Sequence, residues 1–546
     1  MATVVVAAGV LLLLSVFVVW PVVRVLWMSL ESPAGPTLAH YRDFFSTWRL
    51  VRILVNSLAV SLVSTAITVA LALVLACAVT RTTVPGQRLL GLMSLLPLIS
   101  PPFLVSLALI LMFGGNGLVT RALGLDWSIH GFHGIVLAQV FTFLPQAYIL
   151  LANVLGNIDT TLEEAAESLG AGPFTTLRRV TLWLARPGLA STALVVFILC
   201  MTDFGNPILV GGRANVLTTE IYARVIGMND VAAAATMGVV LVLPCLAASL
   251  LDACWVGARS HVTAPAPART AARPTPALVR WPLFAVSGGI ALFMAVIYGL
   301  IPLGSVVRLW GSDWSLSLAH YGFRSTAEGT GPIWNSIKLA VAAGVAGTIV
   351  ALLAAYLVER KRASLGGPAT RAIASLSLLP AALPGTVIGV GYILAFSAPP
   401  VDLTGTIWIL VASVVFWKLP VAVRAGIDAL EQIDPAIEEA AVSLGAGSVR
   451  TFTRVVLPLL TGPAFSVFVY FFINGMVTVS AVIFLVDPGF DLGSVAILAR
   501  VENGDPGVAC ALGTIILAIV AGTVLLLRAL VGGDRVAILE ASAASR

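Results

Sequence analysis

Long apolar segments recur along the whole chain and are separated by short polar segments. A helix needs about 20 apolar residues to cross the hydrocarbon core of a bilayer, and segments of that size occur from end to end. The first segment lacks a basic N-terminal region and exceeds a signal-peptide core in length, so we expect an uncleaved span. The pattern predicts about twelve membrane-spanning helices, near residues 4–27, 52–79, 91–113, 133–153, 187–203, 233–256, 281–303, 333–357, 371–396, 405–425, 463–484 and 508–531.

The pattern of apolar and polar segments occurs twice, with matching features in matching order. LAHYRDFF at 38–45, for example, returns as LAHYGF at 318–323. Such a repeat indicates a duplicated unit of six spans. Because each unit has an even number of spans, both units cross the membrane in the same direction. We therefore predict a first half at 1–256, a cytoplasmic linker rich in Pro, Ala and Arg at 257–280, and a second half at 281–546.

One polar segment stands out in each half because the two copies are nearly identical. EEAAESLGAG begins at Glu163, and EEAAVSLGAG begins at Glu438. We place them in loops at about 156–186 and 431–461. Lys and Arg concentrate on the cytoplasmic side of membrane proteins, and the basic residues of most loops put both copies in the cytoplasm. The first span argues for the opposite orientation, because Arg24 lies at its far end.

Each copy has the sequence of a short capped helix. Asp159 and Asp434 stand where the side chain of an N-cap residue would accept a backbone hydrogen bond. Pro435 takes the first helical position, where its missing N–H costs nothing. Gly170 and Gly445 stand where a helix ends in a left-handed residue. We therefore predict two short amphipathic helices of matching length.

Composition narrows the class of protein further. Charged residues make up 10% of the chain and apolar residues 59%, whereas soluble domains carry about 25% charged residues. This excludes an ordinary soluble enzyme. The net charge of +5 follows from the basic loops, so we expect no nucleic-acid partner. The chain has no GxxxxGK[ST] phosphate-binding loop, so any ATP chemistry must belong to another chain.

The repeated segments resemble the signature of permeases in binding-protein-dependent ABC importers: E-A-A, three residues, G, nine residues, I-x-L-P. The second copy fits from Glu439 to Pro458, whereas the first copy has Trp183 at the final position. The resemblance implies an all-α membrane protein whose twelve transmembrane helices form two parallel-duplicated six-helix halves of the type I importer kind. It also implies a multi-pass permease of the bacterial inner membrane, without enzymatic activity of its own.

In that family the signature forms a coupling helix that sits in a cleft of the ATP-hydrolysing subunit. The resemblance therefore implies two copies of an ABC ATPase, an extracytoplasmic solute-binding protein and surrounding lipid as partners. ATP and Mg would be bound by the ATPase, and no cofactor by this chain. The residues implied for coupling to the ATPase are Glu163, Glu164, Ala165, Ala166, Leu169, Gly170, Glu438, Glu439, Ala440, Ala441, Leu444 and Gly445.

Polar residues within the predicted spans are candidates for the transport pathway, because a charge inside a bilayer is costly. These candidates are Asp203, Asn206, Lys418, Asn474 and Thr478. Gly and Pro interrupt the chain beside Asp203, and such breaks free backbone groups that can line a cavity. Thr478 replaces the acid in the second half. A helix end at the membrane surface also explains Asp203, and snorkelling explains Lys418 equally well.

The fused layout resembles the group of importers that includes ferric iron, thiamine and 2-aminoethylphosphonate permeases. The segments at 202–227, 356–362 and 476–488 look closest to the 2-aminoethylphosphonate branch, so this cargo is our first expectation. Ferric iron, or thiamine, is the alternative within the same architecture. A secondary transporter driven by an ion gradient is an alternative from another class, since it too can have twelve spans in two parallel halves.

Overall fold

The computed structural model describes residues 2–33, 35–124, 126–256, 276–323, 329–398, 401–487 and 489–531. The helices of the first half are α1 (Ala2–Leu14), α2 (Trp20–Met28), α3 (Ala39–Ser46), α4 (Trp48–Thr80), α5 (Gln87–Ser94), α6 (Phe103–Phe113), α7 (Leu118–Leu123), α8 (Phe132–Gly156), α9 (Thr160–Ser168), α10 (Pro173–Thr176), α11 (Leu182–Thr202), α12 (Gly205–Val210), α13 (Leu217–Tyr222) and α14 (Val231–Leu251). Those of the second half are α15 (Ala277–Val306), α16 (Gly331–Arg360), α17 (Arg362–Leu365), α18 (Gly367–Leu378), α19 (Gly385–Phe396), α20 (Ile407–Glu431), α21 (Pro435–Ser443), α22 (Ser448–Thr451), α23 (Leu457–Leu459), α24 (Thr461–Val477), α25 (Gly493–Glu502) and α26 (Pro506–Val531).

Shorter elements join these helices. The strands β1 (Val307–Leu309), β2 (Asp313–Leu316), β3 (Ser397–Ala398) and β4 (Val401–Asp402) form two small antiparallel hairpins. Turns of 3-10 helix lie at Leu96–Ile99, Ala319–Gly322, Leu379–Ala382 and Val482–Phe484. Wider π-helical turns lie at Ser15–Val19, Leu177–Thr181, Ala223–Gly227, Asp252–Val256 and Phe452–Val456.

Among the described residues, ten helices are long and apolar enough to cross a bilayer, and two bent pairs raise the number to twelve if each pair is one span. This confirms an all-α membrane protein with about twelve spans. The first bent pair joins α18 to α19 at 115°, so the predicted span 371–396 is broken rather than straight. The second joins 448–459 to α24 at 78°.

Two other predicted spans also differ from the structure. The span expected at 91–113 is interrupted between α5 and α6, because Pro101 and Pro102 lie between them and proline cannot continue a helix. The stretch long enough to cross a bilayer is Phe103–Leu123, so the predicted bounds were too early in the chain. The span expected at 463–484 ends at Val477, where the chain leaves the helix. Apolar composition alone therefore placed these segments in the membrane but did not locate their breaks.

The first helices of each half pack on the opposite half. α1 and α2 lie against α16, α18 and α19, and the hydroxyl of Tyr392 donates to the carbonyl of Phe17 at 2.8 Å. In the reciprocal arrangement, α15 lies against α4, α5 and α6, and the hydroxyls of Tyr298 and Ser100 are 2.7 Å apart. This exchange holds the two halves together.

Equivalent hydrogen bonds also occur within each half. The hydroxyl of Ser57 accepts from the N–H of Leu217 at 2.8 Å, and Ser336 accepts from Gly493 at 2.9 Å in the second half.

The predicted linker lies outside the described residues up to position 275, and α15 begins at Ala277 within its predicted range. The division of the chain at this linker stays a prediction.

Candidate functional site

Each repeated polar segment folds into a short helix with a side-chain cap. The carboxylate of Asp159 accepts from the N–H of Thr161 at 2.9 Å, and that of Asp434 accepts from Ala436 at 2.9 Å. These bonds confirm the predicted N-caps of α9 and α21. The hydrogen bonds from the backbone and side chain of Thr161 also lower the pKa of the Asp159 carboxyl.

Both helices end at a glycine in the left-handed region, as predicted. Gly170 has φ +88° and Gly445 has φ +82°. The N–H of Ala171 then donates to the carbonyl of Ala166 at 3.0 Å, and the same bond closes α21. This is the Schellman arrangement, which satisfies the last carbonyls of a helix. Both short helices are therefore capped at both ends.

The outer face of each short helix carries exposed apolar side chains. Leu169 and Leu444 are each 89% exposed, and Phe174 and Val449 follow them on the surface. Contiguous exposed apolar surface is typical of protein interaction sites. Ala166 and Ala441 are half-buried, and the other predicted coupling residues on this surface are exposed, namely Glu164, Ala165, Gly170, Glu439, Ala440 and Gly445.

The first glutamate of each copy points inward instead. Glu163 and Glu438 are 6% and 8% exposed. An oxygen of Glu163 lies 3.4 Å from the guanidinium of Arg81, and the other accepts from the hydroxyl of Thr181 at 2.6 Å. Both glutamates were predicted to take part in coupling to the ATPase, which stays a prediction, and their carboxylates face the permease. Helical spacing explains this placement, because neighbouring residues of a helix point to different sides.

The second copy repeats this buried ion pair with different neighbours. Glu438 lies 3.4 Å from the Nε of Arg360 and 3.6 Å from the Nζ of Lys361. The hydroxyl of Tyr356 also donates to Glu438 at 3.0 Å. The sequence identified Arg360 and Lys361 as part of a basic cluster at 360–362 and within the segment 356–362, but it did not single out Arg81. The available signal was a basic residue at the cytoplasmic end of the second span in each half.

The predicted pathway residues Asp203 and Asn206 lie in one buried polar network. The carboxylate of Asp203 accepts from the amide of Gln139 at 3.2 Å and from that of Asn206 at 3.0 Å. The amide oxygen of Asn206 accepts from the hydroxyl of Ser106 at 2.8 Å, and its nitrogen donates to Thr142 at 3.2 Å. Asp203 is therefore enclosed by donors from neighbouring helices rather than placed at an exposed helix end.

The second half has the same backbone arrangement without the acid. The carbonyl of Asp203 accepts from Thr218 at 2.7 Å, and that of Thr478 accepts from Ser494 at 3.0 Å. Ala481 stands where the first half has its buried asparagine. The scaffold is thus duplicated, whereas the polar network belongs to the first half.

The remaining two pathway candidates lie apart from this network. The Nζ of Lys418 lies 3.7 Å from the ring centre of Trp417, a cation–π contact. The amide of Asn474 donates to the carbonyl of Tyr470 within its own helix at 2.8 Å. Within the described ranges, no hydrogen bond or ion pair joins either residue to Asp203. Sequence reasoning grouped these candidates by polarity, and the structure separates them.

Comparison with known proteins matches both halves to one family. Residues 68–254 and 342–532 match the family described as the binding-protein-dependent transport system inner membrane component. The ferric transport system permease protein FbpB of Actinobacillus pleuropneumoniae is 34% identical over 97% of this chain and 78% of its own length. The putative ferric transport system permease protein FbpB 1 of Haemophilus influenzae is 35% identical, over 80% and 70%. The putative 2-aminoethylphosphonate transport system permease protein PhnU of Salmonella typhi is 27% identical, over 46% and 91%.

Proposed function

This chain belongs to the family of binding-protein-dependent transport system inner membrane components, and from that premise we propose that it carries ferric iron across the membrane. It is a multi-pass inner-membrane permease of the ABC importer class, with two fused halves. Because the chain belongs to this family, we no longer consider a secondary transporter driven by an ion gradient. The permease moves a solute and is itself no enzyme.

The proposed cargo rests on the extent of similarity to named relatives. The two ferric transport permeases match 97% and 80% of this chain, at 34% and 35% identity. The 2-aminoethylphosphonate permease matches 46% of the chain at 27% identity. Our first expectation, 2-aminoethylphosphonate, therefore has the weaker support, and ferric iron replaces it.

The proposal that a separate ATPase drives this permease rests on two exposed leucines at matching positions. Leu169 and Leu444 protrude from capped helices at equivalent positions of the two halves. We infer that each helix docks on one ABC ATPase subunit, so that two copies bind one permease. ATP and Mg are then bound by those subunits, and a solute-binding protein delivers the cargo on the opposite face. This chain needs no cofactor in that scheme.

We also propose that the solute passes between the halves near Asp203 and Asn206, with Lys418, Asn474 and Thr478 further along its path. The supporting observation is the position of the Asp203 network at the break between α11 and α12. Breaks of this kind are tolerated in membranes where they line a cavity.

A double substitution tests docking of the ATPase. Leu169→Asp with Leu444→Asp adds two charges to the exposed apolar surface and disturbs no buried contact. We expect the permease to accumulate normally but to lose the co-purified ATPase and all uptake. Leu316→Asp in β2 is the matched control, since Leu316 is 75% exposed and lies outside the coupling loops. Normal ATPase binding by the double variant contradicts the docking proposal.

A transport assay tests the cargo. Cells that carry the permease with its ATPase and binding protein are compared with cells that lack the permease. We expect permease-dependent uptake of radiolabelled ferric iron and none of radiolabelled 2-aminoethylphosphonate. The reverse pattern overturns the ferric proposal while leaving the importer class intact.

A further inference from the structure

Two arginines occupy matching positions at the ends of matching spans. Arg81 directly follows α4, and Arg360 is the last residue of α16. Their side chains are 9% and 10% exposed, so both guanidinium groups are largely removed from water. A buried charge is tolerated only where partners satisfy it. The hydrogen-bond and ion-pair partners of each guanidinium group therefore indicate the structural role of that arginine.

Each guanidinium joins three elements of its half. Besides the carboxylate of Glu163, Arg81 binds the carbonyls of Leu155 and Ile158, the latter at 2.9 Å. These carbonyls lie in the last turn of α8 and directly after it, at the helix end that carries partial negative charge. Arg360 binds the two matching carbonyls at the end of α20 and the carboxylate of Glu438. Each arginine thus ties its own span, the end of the next long span and the coupling helix.

The two halves differ in the other contacts of these glutamates. Glu163 is bound by Thr181 from the segment after its helix, whereas Glu438 is bound by Tyr356 from α16, the span that also carries Arg360. Cys77 stands where the first half would have the tyrosine. The hydroxyl donor therefore comes from a different element in each half, whereas the arginine, the glutamate and the two carbonyls are present in both halves.

An arginine suits this position better than a lysine does. Its planar guanidinium presents five donors in a fixed fork and can serve several acceptors at once. A lysine in its place keeps the charge but provides a single flexible point of contact. Simultaneous contact with the two carbonyls and the carboxylate therefore depends on the guanidinium group.

We propose that Arg81 and Arg360 are positioning residues that join each coupling helix to a pair of packed spans, α4 with α8 and α16 with α20. These spans pack closely on each other in both halves. A push on the coupling helix then moves its span pair as one body. The inference rests on the proposed function, because the ATPase supplies that push. Glu164 and Glu439 are exposed on the surface where the ATPase is proposed to dock, while Glu163 and Glu438 are buried against the permease.

Coupling in proteoliposomes tests the inference. The double variant Arg81→Lys with Arg360→Lys is assembled with the ATPase and the binding protein, and transported ferric iron is counted per ATP hydrolysed. We expect normal ATPase binding, an unchanged or higher hydrolysis rate and about tenfold less transport per ATP. Arg424→Lys is the control, because Arg424 pairs with Asp428 at 2.9 Å on the exposed face of α20. Its ratio should equal that of the unaltered protein.

A second measurement uses labels on exposed positions and leaves the arginines in place. Spin labels at Ser443, the end of α21, and at Glu431, the end of α20, report the distance between coupling helix and span. We expect the same distance with and without ATP. A distance that changes with ATP, or a normal transport ratio in the double lysine variant, overturns the inference. Failure of the proposed function differs from both, because the unaltered permease would then bind no ATPase.

Discussion

At the scale of single residues, the coupling helices depend on a few positions with special backbone or hydrogen-bonding demands. Gly170 and Gly445 adopt a left-handed conformation that side chains with a Cβ rarely take. Asp159 and Asp434 supply the caps at the opposite ends. These local features could be predicted from the sequence, because all their partners lie within a few residues.

The glycines give the first prediction. Gly170→Val with Gly445→Val places a β-branched residue in the left-handed region, which costs at least about 1–2 kcal/mol per position. We expect normal membrane insertion and loss of ATP-driven uptake, measured in membrane vesicles. Gly172→Ala with Gly447→Ala is the control, because both have φ −72° and no atom within 4 Å of the added Cβ. Normal uptake by the valine variant means that the exact ends of these helices do not matter.

The cap of α9 gives a prediction about pH. Hydrogen bonds to the ionised carboxylate lower the pKa of Asp159, so its contribution to stability is present above the ordinary aspartate pKa and is lost as pH falls through the lowered value. We expect the helix start to be protected from hydrogen exchange throughout the neutral range and to open only in acid, after correction for intrinsic rates. Asp159→Asn should remove this pH dependence and keep the cap. Opening near neutral pH argues against the cap.

The buried arginine contacts show what residue patterns could not predict. Glu163 and Arg81 are 82 positions apart in the sequence. Helical spacing predicts which residues share a face but not which face turns toward the membrane domain. The sequence therefore grouped Glu163 and Glu438 with the other coupling residues and gave no sign that their carboxylates bind arginines inside the permease.

At the scale of elements, breaks in the spans position the polar groups. α19 packs closely on the segment after α24. A Cβ added at Gly389 would lie 2.6 Å from the carbonyl oxygen of Ala481, too close for any side chain larger than that of glycine. In the first half, α6 is joined to the equivalent segment by the hydrogen bond from Ser106 to Asn206. The same contact is therefore made by close packing in one half and by polar groups in the other.

Asn206 gives a prediction at this scale. Asn206→Leu leaves the hydroxyl of Ser106 without its amide partner and removes one of the two side-chain amide donors of the Asp203 carboxylate. Each buried group left unpaired costs about 1–3 kcal/mol. We expect a clearly lower unfolding temperature in detergent. Asn474→Leu is the control. Among the described residues, the side chain of Asn474 hydrogen-bonds within its own helix, so this substitution should lower the unfolding temperature less; equal losses would contradict the importance of the network.

At the scale of the whole molecule, the number of spans and the duplication followed from apolar length and repeated motifs. The exchange of first helices between halves did not, because apolar surfaces carry no signal for which neighbour they meet. Exposed tryptophans at the outer ends of spans, such as Trp48, Trp334 and Trp408, together with Trp183 and Trp281 at the opposite ends, suit the two interfaces of a bilayer.

The most direct test of the account is transport by purified permease in proteoliposomes, with the ATPase and ATP on the side of the coupling helices. We expect uptake of ferric iron from its binding protein only when both ATP and the ATPase are present. We also expect no uptake by the Leu169→Asp and Leu444→Asp double variant. Uptake that persists without the ATPase, or that follows an imposed ion gradient, would contradict the account.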